Sequence, residues 1–464
     1  MARHCRINGR VTLRLYKANC KDLSHSVEGD KGIKMKTMMQ LLADLTPLNR
    51  VICSSDYDYT IEYMKGVLPF KEISYSSSEV YNGWVIPPKW DVKTARISFQ
   101  RRTVYDGLHH PLAVMALSKP FVGTVDREEL RQHLHYDHRY EDAIPFHFRQ
   151  LFRSYDRDWG FCVPRTFYDS LKEGSYDVVI ETEEAPGTLR VLDYTLEGRS
   201  PETIVFGANL DHPGVANDGL AGVAVGVALF EALRQRKQQT NFSYRLVLAP
   251  GIIGNEYYLG HLSDEERTQL LEGVMLEMLG SPTELSLQFS RHKESNIEIA
   301  LAEALEKSGC RHHTGAFESA LINDEYIWEA YGIPMASLSR FPYPEYHTDL
   351  DSVELMSQAC LEEAVGVLLQ AIETLESGGI VRKRFSGNVC LSHPEYDLYI
   401  DPGQVAFGDI PDDERRRMRL LMDIIPTLSR PTSMNMLAVR VGLPLERVEE
   451  YLEKWVRCGL LDSK

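Results

Sequence analysis

Residues 203–234, TIVFGANLDHPGVANDGLAGVAVGVALFEALR, read as an apolar strand, a turn of small and polar residues, and a helix. TIVFGANL has strand length, and the stretch from Ala221 to Lys237 carries helical periodicity. The turn places His212 and Asp218 just past the carboxyl end of a strand, where open α/β sheets gather their sites. Pro213, Gly214 and Gly219 allow a tight loop, and Gly222, Ala224, Gly226 and Ala228 let the helix lie close beneath the sheet. On its own the segment reads first as a turn. Neutral imidazole and carboxylate are, however, also the usual ligands of a catalytic zinc, which binds few protein groups and leaves a position open for water.

The pattern extends outward. YDVVIET from 176, YRLVLAP from 244, VMLEML from 274 and IPMASLS from 333 are further strand-length apolar runs, and NIEIALAEALEKSG and LEEAVGVLLQAIETLES are helical. This alternation predicts an α/β core with a mostly parallel central sheet. Three more strand ends carry chemistry. Glu277 sits in VMLEMLG, where an ionised carboxylate is costly unless it is paired or bound to a cation. Asp324 and Glu325 precede the helix and strand of NDEYIWEAYGIPMASLSR, and His347 stands among Glu345, Asp349 and Asp351 in FPYPEYHTDLDS. Two histidines and several carboxylates at successive strand ends favour a site over a series of turns.

The flanks are less regular. Residues 1–34 read as a basic N-terminal extension, 35–77 and 141–380 as the α/β core, 78–140 as a small inserted β-rich domain, and 381–464 as a C-terminal domain. His109, His110, His133, His135 and His138 lie in the insertion without an accompanying carboxylate pattern and read as structural or solvent-facing. The C-terminal segments resemble a winged helix. The helix PLERVEEYLEKWVRCG holds four glutamates against two arginines and one lysine, which favours a structural or protein-contact module over DNA binding.

Composition narrows the partners. The 464 residues carry 51 Lys and Arg against 67 Asp and Glu, a net charge of -16, so neither a nucleic-acid backbone nor an anionic membrane is expected as main partner. Eight cysteines without a C-x-x-C pair indicate neither a thiolate zinc knuckle nor a disulfide framework, and fit a reducing cytoplasm. No apolar run approaches the roughly 20 residues that span a bilayer, and the first residues lack the apolar stretch of a secretory signal. The inserted and C-terminal domains offer contact surfaces for a homo-oligomer.

The order ANLDHPGVANDGLAG, VMLEMLG, NDEYIWEAYGIPMASLSR and YHTDLDS resembles the zinc aminopeptidase and glutaminyl cyclase superfamily. GWVIPPKWDVKTARI and AIPFHFRQLFRSYDRDWGFCV add a closer resemblance to a bacterial subfamily of aminopeptidase-like proteins with an inserted β domain and a C-terminal winged helix. The resemblance, which runs from about residue 36 to near the C-terminus, implies a zinc-exopeptidase-like core with one or two zinc ions. It also implies His212 as first histidine ligand, Asp218 as bridging aspartate, His347 as last histidine, Glu277 at an aspartate-ligand position and Asp324 at an acidic residue of the rim. Arg340 resembles an arginine of the closer subfamily and would hold a substrate carboxylate, or else form a surface salt bridge. One departure stands out: the superfamily pairs two glutamates after the strand matching YRLVLAP, and this chain has Gly251 where the closer subfamily often keeps one.

An intact site of this kind implies hydrolysis of an amide bond in a small peptide or amino-acid conjugate. Glu325 is the leading general base, held by Asp324, with Glu256 and Glu345 as competitors; leftover acidic groups, Glu345 among them, would bind the substrate's α-amino group. Two alternatives stay open: a metal-dependent acyl-transfer or cyclising enzyme of a biosynthetic pathway, and a catalytically degenerate metal-binding scaffold.

Overall fold

A computed structural model describes residues 37–153, 155–292, 295–401 and 413–463. The extension expected over 1–34 lies outside them. In chain order the strands are β1 (Lys71–Ser76), β2 (Lys89–Phe99), β3 (Arg102–Asp106), β4 (Phe121–Asp126), β5 (Ser175–Ala185), β6 (Thr188–Leu196), β7 (Thr203–Asn209), β8 (Ser243–Ala249), β9 (Leu270–Leu276), β10 (Leu285–Gln288), β11 (His312–Gly315), β12 (Met335–Ser339), β13 (Ile380–Lys383), β14 (Thr432–Ser433) and β15 (Leu461–Ser463). The helices are α1 (Met38–Leu45), α2 (Ser55–Lys65), α3 (Gly222–Arg234), α4 (Ile253–Gly260), α5 (Asn296–Ser308), α6 (Glu325–Ala330), α7 (Gln358–Glu376), α8 (Asp413–Ile424), α9 (Met434–Val441) and α10 (Leu445–Arg457).

The central sheet has eight strands in the order β1-β6-β8-β7-β9-β12-β10-β11. Its middle strands β8, β7, β9 and β12 run parallel, with antiparallel pairing at β1/β6, β6/β8 and β10/β12. Every residue of β7 is buried. Ile204, Phe206 and Ala208 join a core with α1, α2, α3, α5 and α7, while Val205, on the opposite face, joins a second core with α4, α6 and the β-rich unit. Layers on both faces explain why the central strands read as continuous apolar runs. They also bring the carboxyl ends of β7, β9 and β12 to one edge.

The inserted unit is larger than its expected span. YDVVIET forms β5, which pairs antiparallel with β2 and β4 in a separate four-stranded sheet, β3-β2-β5-β4, so the insertion closes near 185 and not at 140. The physical reason is legible in the strand itself. Tyr176, Val178 and Ile180 face inward while Asp177 and Glu181 face water, the half-buried alternation of an antiparallel sheet.

At the C-terminal end α8, α9 and α10 accompany a three-stranded antiparallel sheet, β14-β13-β15. Asn435 Nδ2 donates to Thr374 O on α7 at 2.8 Å, and Arg430 donates to Gly332 O at 3.0 Å, so this unit is docked on the core. No described helix is long and apolar enough to cross a membrane.

Candidate metal centre

The loop after β7 turns sharply because glycine permits it. Gly219 has φ +87°, and a Cβ there would stand 2.7 Å from Asn209 O. A Cβ on Gly222 would overlap Leu276 O at the end of β9, so the start of α3 lies directly against the neighbouring strand. Asp218, with extended backbone between helical turns, is thereby aimed back across the sheet edge.

Three side chains converge there. Asp218 Oδ2 lies 3.1 Å from His347 Nε2 and 3.8 Å from His212 Nε2, and one ligand atom from each residue falls within 4.8 Å of the others. Two ligand atoms about 2.0 Å from a tetrahedral zinc stand roughly 3.3 Å apart, close to the two separations from Asp218 Oδ2. Among the described residues no other His, Cys, Asp or Glu group converges in this way. Asp218 is 3% exposed, yet its Oδ2 makes no hydrogen bond, as expected of an acceptor reserved for a cation. Burial alone would lower the His212 pKa, but Asp218 and Asp211 outweigh it and raise it; burial raises that of Asp218, but His212 and His347 more than reverse it. Phe146 packs edge-on to both imidazoles, at 5.5 Å to His212 and 5.4 Å to His347, and Tyr346 stacks on His347 at 3.8 Å. The residues fit a zinc ion.

A second, acidic group lies beside them. Glu277 Oε1 accepts from Asn323 Nδ2 at 2.7 Å, and Glu325 Oε2 accepts from the Asn323 backbone N–H at 2.8 Å, so one asparagine holds both carboxylates. Glu277 does not belong to the converging trio. Glu325 is fully buried and its Oε1 has no partner. Asp324 accepts from Ile252 N at 2.5 Å, Asn255 Nδ2 at 2.7 Å and Asn209 Nδ2 at 2.9 Å, which anchors the start of α6 to the end of β7 and the start of α4. Burial pushes Glu325 up to about 7 and Asp324 up to about 6; burial and the neighbouring Glu325, Asp324 and Asp218 carry Glu277 well above the carboxylate range.

These shifts fix a pH dependence. The folded chain holds protons on these carboxyls at pH values where the unfolded chain has released them, so stability falls as pH rises from about 4 through about 7. The metal-free protein is expected to melt higher at pH 6 than at pH 8, by a few degrees if the groups together contribute about 1–3 kcal/mol. Differential scanning calorimetry in the presence of a chelator checks this, and a melting temperature that drops on acidification to pH 6 contradicts it.

The remaining expected residues fall elsewhere. Glu345 lies half-buried in the turn leading to His347, its carboxylate without a hydrogen bond or ion pair among the described residues. Arg340 is 3% exposed and spent: it donates to Leu279 O at 3.2 Å, Cys360 O at 3.2 Å and Thr283 O, and pairs with Glu363 at 2.5 Å. These contacts match the salt-bridge alternative and not the substrate clamp, because at most one N–H of the guanidinium is left and no pair of donors remains for a second carboxylate. Glu256 accepts from Asn82 Nδ2 at 2.8 Å and Tyr331 OH at 3.1 Å, a structural position rather than that of a base. A side chain at Gly251 would meet only ordinary contacts, the nearest Asn209 Nδ2 at 3.5 Å, so the missing glutamate is not excluded by space. His133 stacks on Trp159 and lies 3.2 Å from an Asp158 carboxylate oxygen, His135 lies tilted against His147, and among the described residues no group of three or more ligands converges there. Sequence reasoning missed Asn323 and Phe146. Only the adjacency of Asn323 to Asp324 and Glu325 pointed toward the first.

Known proteins share this architecture. A Clostridium acetobutylicum protein provisionally named as a polysaccharide biosynthesis protein with an aminopeptidase-like domain is 26% identical over 342 residues, 73% of this chain and 77% of its own length. A crystal structure from the same organism, provisionally called a peptidase, superposes with a TM-score of 0.71 at 23% identity over 92% of this chain and 96% of that one. The zinc aminopeptidase BSAP of Bacillus subtilis superposes with a TM-score of 0.54 at 14% identity over 73% of this chain and 94% of its own. Together with the mostly parallel α/β sheet, these likenesses give the core a zinc-aminopeptidase-like fold. The sequence pattern of the family described as a domain of unknown function, DUF4910, matches residues 39–378, from α1 into the turn after α7, and the chain belongs to that family.

Proposed function

We propose that this chain is a zinc-dependent, aminopeptidase-like hydrolase that cleaves an amide bond in a small peptide or amino-acid conjugate. The observation that carries the reading is Asp218 Oδ2, buried, without a hydrogen bond, and faced by two imidazole Nε2 atoms. His212, Asp218 and His347 would hold the ion, and Glu277, outside the converging trio, would be a further carboxylate beside it. A zinc ion bound there supplies a Lewis acid that polarises the scissile carbonyl and brings the pKa of a water toward about 7. Glu325 takes the proton of the attacking water and returns it to the leaving amine; a carboxyl with a pKa near neutrality suits both transfers. Asp324 fixes the helix start that carries Glu325. Glu345, unpaired on the rim, receives the substrate's α-ammonium group, and Phe146 and Tyr346 fix the imidazole planes and exclude bulk water from them.

The test is hydrolysis of a panel of aminoacyl amides and dipeptides by the zinc-loaded protein, with and without a chelator. Turnover that chelation abolishes and zinc restores supports the proposal. Bound zinc with no turnover across N-terminally free and blocked substrates contradicts it and favours the metal-binding scaffold that the glycine at 251 suggests.

A further inference from the structure

The loop that carries two of the three converging side chains is held by a pair of buried charges of opposite sign. Arg50, between α1 and α2, is fully buried and donates only to backbone carbonyls: Nε to Leu210 O at 3.3 Å, Nη2 to Val215 O at 3.1 Å and to His212 O, and Nη1 to Leu45 O at the end of α1. Asp351, four residues past His347, is also fully buried and accepts from the other side of the same loop. Its Oδ1 takes the N–H of Asn217 at 2.6 Å and of Ala216 at 3.2 Å, and its Oδ2 the N–H of Asp218 at 3.0 Å and the Tyr343 hydroxyl at 2.7 Å. Leu48 O accepts from Gly214 N at 3.2 Å, completing the cradle. Carbonyls of residues 210, 212 and 215 are thus claimed by one cation, and amides of 216, 217 and 218 by one anion. Neither charge forms an ion pair with the other.

A buried charge is costly to desolvate, and here each one offsets that cost by satisfying polar groups that would otherwise be buried without partners: four carbonyls for Arg50, and loop amides with the Tyr343 hydroxyl for Asp351. What the two charges provide is a fixed backbone on either side of His212 and Asp218. We propose that Arg50 and Asp351 are positioning residues that order this loop before metal arrives, setting metal affinity through His212 and Asp218. The inference about affinity rests on the zinc reading above; the inference about loop order does not. Because Asp351 belongs to the loop of His347, the same contacts tie both histidine loops together.

Lysine at 50 brings three N–H donors to four carbonyls, and asparagine at 351 turns one acceptor into a donor facing an N–H or a hydroxyl. The experiment compares the wild-type full chain with Arg50→Lys, Asp351→Asn and, as control, Tyr244→Phe, which deletes the hydrogen bond from a fully buried tyrosine to Glu376 at the amino end of β8. Amide hydrogen exchange of the metal-free proteins is expected to quicken at least about tenfold over residues 210–218 in the first two variants while α3 stays protected, and zinc affinity by competition with a chelating dye to fall about 10–100-fold. Tyr244→Phe should change neither. If Arg50→Lys fails to fold, Asp351→Asn carries the test. Unchanged exchange in the loop overturns the proposal, as does a loss of zinc affinity equal to that of the control. A wild type that binds no zinc removes the metal reading and with it the affinity claim, while the loop exchange still decides whether the two charges order the backbone.

Discussion

Asp218→Asn is expected to lower zinc affinity by about a hundredfold or more and to remove turnover, while leaving the metal-free fold intact. Asp218 is the one carboxylate of the converging trio, and its Oδ2 faces both imidazoles. Asparagine is nearly isosteric, so the loop keeps its shape, but the anionic ligand is gone and the buried oxygen becomes either a neutral acceptor or an NH2 group. His212 also loses the carboxylate that does most to hold its pKa up. Changes in groups that only orient metal ligands already cost 10–100-fold in affinity, and removing a ligand should cost no less. Dye competition gives the affinity and circular dichroism the fold. An asparagine variant that binds zinc as tightly as the wild type would place the ion elsewhere.

Glu325→Gln is expected to separate chemistry from binding: kcat lower by about 10²–10⁴ with zinc content unchanged. The glutamine keeps the hydrogen bond from Asn323 N, so the start of α6 stays in place. What it lacks is the basic oxygen, Oε1, which is buried and unpartnered. The same change has an opposite effect on stability. Above pH 7 the wild type buries an ionised Glu325 beside Asp324, and the neutral side chain relieves the cost of that burial and the repulsion from Asp324. The metal-free variant should therefore melt at or above the wild-type temperature at pH 8, a trade of stability for activity. Undiminished kcat would transfer the base role to another group, with Glu345 next in line.

The fold was legible where the physics is local. The central strands announce themselves as unbroken apolar runs because helices cover both faces, and the small residues at 219 and 222 announce a backbone that must pass close to β7 and β9. That a site lies at these strand ends was suggested by the recurrence of histidines and carboxylates there; which three side chains converge came only from the family resemblance. β5 was misplaced because a strand's partners are nonlocal: its alternation was visible, but its pairing with β2 and β4 depends on residues about 50 to 100 positions away. Arg340 stayed open between a substrate clamp and a salt bridge for a related reason. An arginine near an active-site loop and one inside a wall of carbonyls look alike in sequence, and only its burial against Leu279, Thr283 and Cys360 separates them. Arg50 was invisible in PLNRVICSS because its partners are backbone atoms roughly 160 residues on.

The most direct measurement is zinc per chain in the purified wild type, His212→Ala and His347→Ala, after incubation with zinc and removal of the excess. Near-stoichiometric zinc in the wild-type chain and its loss in both variants are expected. No zinc in the wild type, or zinc retained by both alanine variants, would contradict it.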